Sequence, residues 1–127
     1  MDLASFVNIA WDLEHAGLLW CPEIGDEVSQ RTELVRVSIL VDPQGMTPTE
    51  LRSTFLWLPT VEQLLMQFEA RQAILFHAGL ELSESAYFYK TVVRARDNSI
   101  ESKADSLRSA LALSLRDLLV GQSGQIH

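Results

Sequence analysis

In residues 2–16 the apolar positions Leu3, Phe6, Val7, Ala10 and Leu13 recur at intervals of three and four. That spacing places them on one side of a 3.6-residue helix, so the pattern predicts an amphipathic helix over this segment. Trp11 flanks the stripe, and Gly17 suits the left-handed position that ends a helix. "LLWCP" (18–22) reads as extended, because a proline pushes the residue before it away from helical dihedrals. The polar stretch 23–33 has no apolar run and predicts a loop. "LVRVSILVD" (34–42) is rich in β-branched residues and alternates, which predicts a strand.

Two helix starts share one chemistry. "TPTE" (47–50) places Thr47 as cap, Pro48 at the first helical position and Glu50 where its side chain can reach back. In "FLWLPTVEQLL" (55–65), Thr60 is followed three residues later by Gln63, again a capping box, and Pro59 sharpens the boundary. Val61, Leu64, Leu65 and Phe68 then form the apolar stripe of a helix over 61–71. The first of these helices must be short, because "STFLWLP" is β-branched and aromatic.

"AILFHAGLEL" (73–82) and "AYFYKTVVRAR" (86–96) flank the polar "SES", which predicts a β-hairpin. By the period of two, Tyr87, Tyr89, Thr91, Val93 and Ala95 share the face expected to meet the core. Phe88, Lys90, Val92, Arg94 and Arg96 share the face expected to meet water. Asp97-Asn98 predicts a turn, after which Ser102 is the expected cap of a helix over 103–120, ended by Gly121. Residues 121–127 are expected to be a flexible tail. The whole predicts an α+β domain spanning 1–127. Its antiparallel sheet has three strands (34–42, 73–82, 86–96), or four with 53–58, and helices 2–16, 61–71 and 103–120 cover one face.

Composition sets the class. The chain has 127 residues, 47% of them hydrophobic and 21% charged, which fits one globular domain. A single cysteine excludes an internal disulfide framework and a multi-cysteine zinc site. The N-terminal segment carries Asp2, Asp12 and Glu14 and no positive region of the secretory type, so a cytoplasmic protein is expected, with no membrane association. The net charge is −7, which disfavours general nucleic-acid binding. Residues 1–60 hold nine acids and three bases, and residues 61–127 hold eight and seven.

No catalytic constellation stands out. Cys21 with His15 or His77 could serve as nucleophile and base, but the apolar "LLWCP" context is that of a small buried hydrophobe. Glu14 and His15 are adjacent on a helix and diverge, His77 is alone in a strand and His127 is terminal, so no metal site or cofactor is expected. Glu23, Asp26 and Glu27 could pair for acid–base work, but a loop position points them to solvent. No phosphate-cradling glycine motif occurs.

The second half resembles small α-β-β-α sandwich proteins of phages and prophages, on "WLPTVEQLL" (57–65) and "ADSLRSALALSLRDLL" (104–119). The resemblance implies a two-layer fold. It carries over no functional residue, since such proteins mostly lack an assigned activity. The strand at 34–42 and the N-terminal helix lie outside it.

The residues favour a non-enzymatic protein that binds a protein partner or itself as a homodimer. The expected face is Phe88, Lys90, Val92, Arg94 and Arg96, half apolar and basic. A second reading is a small-ligand pocket near Trp20, Trp57 and Tyr89. A third uses Lys90, Arg94 and Arg96 on phosphates, with Phe88 as a stacking ring. Trp57 has no local role in its helix start, so it belongs either to the core or to the wall of a site.

Overall fold

The computed structural model describes residues 3–124, which contain four helices and six strands. They are α1 (Leu3–His15), β1 (Glu27–Gln30), β2 (Glu33–Ile39), α2 (Pro48–Thr54), β3 (Phe55–Trp57), α3 (Val61–Ala70), β4 (Ile74–Ser83), β5 (Ala86–Ala95), β6 (Asn98–Ala104) and α4 (Leu107–Gly124). The α+β class and the antiparallel pairing are as predicted. The strands form two three-stranded sheets, ordered β2-β1-β3 and β4-β5-β6, rather than one. The chain divides into two compact units, one ending at Pro59 and the other beginning at Thr60.

The division follows from β1, which the sequence predicts as loop. β1 is the central strand of the first sheet and pairs antiparallel with both β2 and β3. Its Val28 and Ser29 are buried. Ser29 can be buried because its hydroxyl donates to the Leu34 carbonyl. With β1 between them, β2 and β3 complete a sheet of their own. Trp20, Val28, Leu40 and Leu51 form a buried cluster, with Met46, Phe55 and Trp57 packed against it. The α1 stripe is buried at Phe6, Val7, Ala10 and Leu13. Gly17 takes the expected left-handed conformation, at φ +105°.

In the second unit α4 packs across β5 and β6, and α3 packs on α4 and on β4. Both capping boxes form as predicted. In each, the threonine side chain (Thr47, Thr60) accepts the N3 amide, and Glu50 or Gln63 reaches back to the cap N–H. Leu64 and Phe68 are buried, whereas Leu65 is 36% exposed and lies off the stripe. The β4–β5 hairpin closes on Glu84 and Ser85, both at positive φ (49° and 71°), as a two-residue primed turn requires.

Ser102 is not a helix cap. The chain continues past Asp97 as β6, paired with β5 from Ala95↔Asn98 to Tyr89↔Ala104. Ser106 takes the capping role, its hydroxyl accepting the Ser109 amide at 3.0 Å. Ser102 is buried instead, accepting the Ser114 hydroxyl at 2.8 Å, while Ser114 Oγ lies 2.9 Å from Thr91 Oγ1. α4 also runs through Gly121 to Gly124, so no break falls at Gly121. Of the predicted tail, residues 125–127 lie outside the described residues. No described helix is long and apolar enough to cross a membrane.

Candidate functional site

The surfaces of the second unit are set by the register of its hairpin. Ile74↔Arg94, His77↔Val92, Gly79↔Lys90 and Glu81↔Phe88 are opposed, and directly opposed residues share a face. Phe88, Lys90, Val92 and Arg94 therefore stand together on the side away from the helices, as the sequence predicts. Arg96 does not join them. β5 ends at Ala95, and Arg96 sits in the following turn at φ +57°. It lines a cleft of about 700 Å³ together with Arg71 and Asp117. Burial there holds the Arg71 guanidinium below its ordinary value.

The bases of the outer face are engaged within the chain. Lys90 Nζ lies 3.5 Å from Glu101, and the Arg94 guanidinium sits 3.7 Å above the centroid of the Phe76 ring. Lys103 contacts both Glu101, at 4.0 Å, and the Phe88 ring, at 5.3 Å. His77 and Glu81 are 3.5 Å apart. A mixed face of stacked and paired charges results, rather than an open row of cations.

The opposite face carries a feature that alternation alone misses. At the base of the hairpin Thr91 and Val93 are fully buried under the helices. Further along the same face the register brings Leu80 opposite Tyr89 and Leu82 opposite Tyr87. Leu80, Leu82 and Tyr87 are 56%, 61% and 67% exposed, so the predicted core role of Tyr87 is not met. The hairpin extends past the helices that cover its base. β4 is also an edge strand of ten residues. Its pairing with β5 carries one register shift, between Leu75 and His77. The other edge, β6, carries Glu101 and Lys103, charges of the kind that blunt an edge against pairing.

In the first unit, Trp20 and Trp57 both line a cavity of about 270 Å³. Tyr89 is not part of it, since it belongs to β5 in the other unit. Trp20 is buried and its Nε1–H donates to Asp26 Oδ2 at 2.8 Å. Asp26 also accepts the Glu23 amide at 2.9 Å. Asp26 is therefore a buried structural carboxylate, not the solvent-facing acid that a loop position predicts. Trp57 is half-buried and serves as both core edge and cavity wall, and its Nε1 is shielded from solvent with no hydrogen-bond partner among the described residues.

Two arginines that sequence reasoning passed over complete this cavity. Arg31 forms a fork on Glu14, at 3.0 and 2.5 Å, and its Nε donates to the Arg52 carbonyl at 2.9 Å. Arg52 Nε donates in turn to the Trp20 carbonyl at 2.8 Å. The available signal was scarcity, because Arg31, Arg36 and Arg52 are the only bases in residues 1–60.

Cys21 is exposed, so it is not the buried hydrophobe that its flanks predict. His15 places Nδ1 2.8 Å from the Trp11 carbonyl. Among the described residues no group of three or more His, Cys, Asp or Glu side chains could hold a metal ion. Comparison with protein-family models, curated proteins and solved structures gives no match for this chain.

Proposed function

We propose that this chain is a non-enzymatic protein that works by binding protein, and that a second copy of itself docks on the β4–β5 hairpin. The observation that carries this reading is the exposure of Leu80, Leu82 and Tyr87 on the same sheet face as buried Thr91 and Val93. Contiguous apolar surface of this kind marks an interaction site. The block contains no charged side chain, so a second copy meets no like charge there despite the net −7. The ten-residue β4 edge beside it adds backbone groups that a second strand can satisfy.

The test is light scattering coupled to size exclusion over a concentration series. The wild-type chain is expected to run at twice the monomer mass, and the Leu80→Glu, Leu82→Glu double variant as a folded monomer with an unchanged circular-dichroism spectrum and a melting temperature that no longer depends on concentration. A wild-type monomer at every concentration overturns the reading.

A further inference from the structure

We propose that the cavity of the first unit is a binding site for a small apolar carboxylate. It lies within one compact unit, lined by α1, the segment 17–20, Arg31, Arg52 and β3, and open on one side. Its walls are apolar at Leu18, Trp20, Phe55, Leu56 and Trp57. A cavity of about 150 Å³ holds a benzene ring, so about 270 Å³ takes a ring with a short side chain, roughly a dozen non-hydrogen atoms.

The charge at the cavity selects the head group. Three charged side chains line it: Glu14, Arg31 and Arg52. Glu14 and Arg31 satisfy each other through a two-bond fork. Arg52 is left as the charge with no carboxylate partner among the described residues. Its Nε is held by the Trp20 carbonyl, which fixes the plane of the guanidinium. The two terminal NH₂ groups have no acceptor among the described residues. A guanidinium held at Nε presents its terminal N–H groups as a planar fork, which matches the two oxygens of a carboxylate. A phosphate dianion fits the same fork but brings a second charge among apolar walls, and the other cation of the lining, Arg31, is already paired with Glu14. The occupant the cavity fits is a monocarboxylate whose apolar body lies between the tryptophans.

The experiment uses the full chain and two probes of one shape, 3-phenylpropionate and the uncharged 3-phenylpropan-1-ol. The indole N–H signals of the three tryptophans are followed by NMR during titration. Trp20 and Trp57 line the cavity, while Trp11 does not and serves as the internal reference. Saturable shifts at Trp20 and Trp57 are expected with the carboxylate, and binding of the alcohol about tenfold or more weaker, since a hydrogen bond to a charged group is lost. Arg52→Gln should bind acid and alcohol alike, and Arg52→Lys, which keeps the charge without the fork, should fall between. The wild-type comparison of acid with alcohol decides the matter even if an Arg52 variant does not fold. Absence of saturation with 3-phenylpropionate, equal affinity for the two probes, or shifts confined to Trp11 would each overturn the proposal.

Discussion

Trp20 Nε1 donates to Asp26 Oδ2 at 2.8 Å, and both side chains are at least nine-tenths buried. The pair joins the segment after α1 to the entry of β1, and Trp20 belongs to the apolar cluster of the first unit. Trp57, packed against the same cluster, has a shielded Nε1 with no acceptor among the described residues. Two tryptophans in one small core thus stand in opposite hydrogen-bonding states.

That contrast predicts unequal responses to one substitution. Trp20→Phe removes a donor from a buried carboxylate, a change expected to destabilise by about 1–3 kcal/mol beyond the lost ring area. Trp57→Phe removes a donor that bonds nothing and keeps an aromatic ring at the site. It should destabilise by less than about 1 kcal/mol, because relief of an unpaired buried polar group offsets part of the lost contact. Urea unfolding of the two variants, with equal slopes, measures the difference. Equal losses would show that ring volume, not hydrogen bonding, governs both positions.

The buried hydroxyls of the second unit form a connected set. Thr91 Oγ1 lies 3.3 Å from the Ala110 carbonyl and 2.9 Å from Ser114 Oγ, and Ser114 donates to Ser102 at 2.8 Å. Ser114→Ala takes a partner from each neighbour and is expected to destabilise by about 1–3 kcal/mol. Adding Thr91→Val and Ser102→Ala removes the stranded groups as well, so the triple variant should lose less than the sum of the single losses. Strict additivity in thermal melts would show that the three hydroxyls act independently.

The capping boxes were readable because all their partners lie within four residues of one another. Thr60→Ala should destabilise by about 1 kcal/mol, and Thr60→Ser by a fraction of that, as circular-dichroism melts can measure. The same locality explains what was not readable. β1 and β6 are polar in sequence, and their strand identity comes from what they pair with. Val28 and Ser29 are buried because β2 and β3 flank them, and Ser102 is buried because Ser114 of α4 reaches it. "SKAD" looks like a helix start until the partner strand is present. Alternation assigned the faces of β5 correctly as far as Arg94, but not Arg96, which lies in the turn beyond the strand. It could not show that the helices stop short of Tyr87, since that depends on where α3 and α4 lie rather than on β5 itself. The cavity was half legible. Trp20 and Trp57 were grouped on their size, but Arg31 and Arg52 act through backbone carbonyls distant in sequence, and Tyr89 belongs to the other unit.

Arg31 is the residue on which the geometry of the cavity rim rests. Its fork on Glu14 reaches α1, its Nε reaches the Arg52 carbonyl at the end of α2, and its guanidinium lies 5.7 Å from the centroid of the Trp11 ring. The arginine and glutamate side chains are 22% and 38% exposed, so solvent screens part of the ion pair, and the hydrogen-bond geometry matters more than the charge. Lysine keeps the charge but carries its donors on one nitrogen, whereas Arg31 spreads them over three to reach the two carboxylate oxygens and the carbonyl. Arg31→Lys is therefore expected to destabilise by about 1–2 kcal/mol, close to the loss from Arg31→Ala, rather than to rescue it. Denaturant unfolding at low and at high salt separates the contributions. A loss that vanishes in about 1 M salt would assign the role to charge alone, whereas a loss that persists assigns it to the fork and its carbonyl bond.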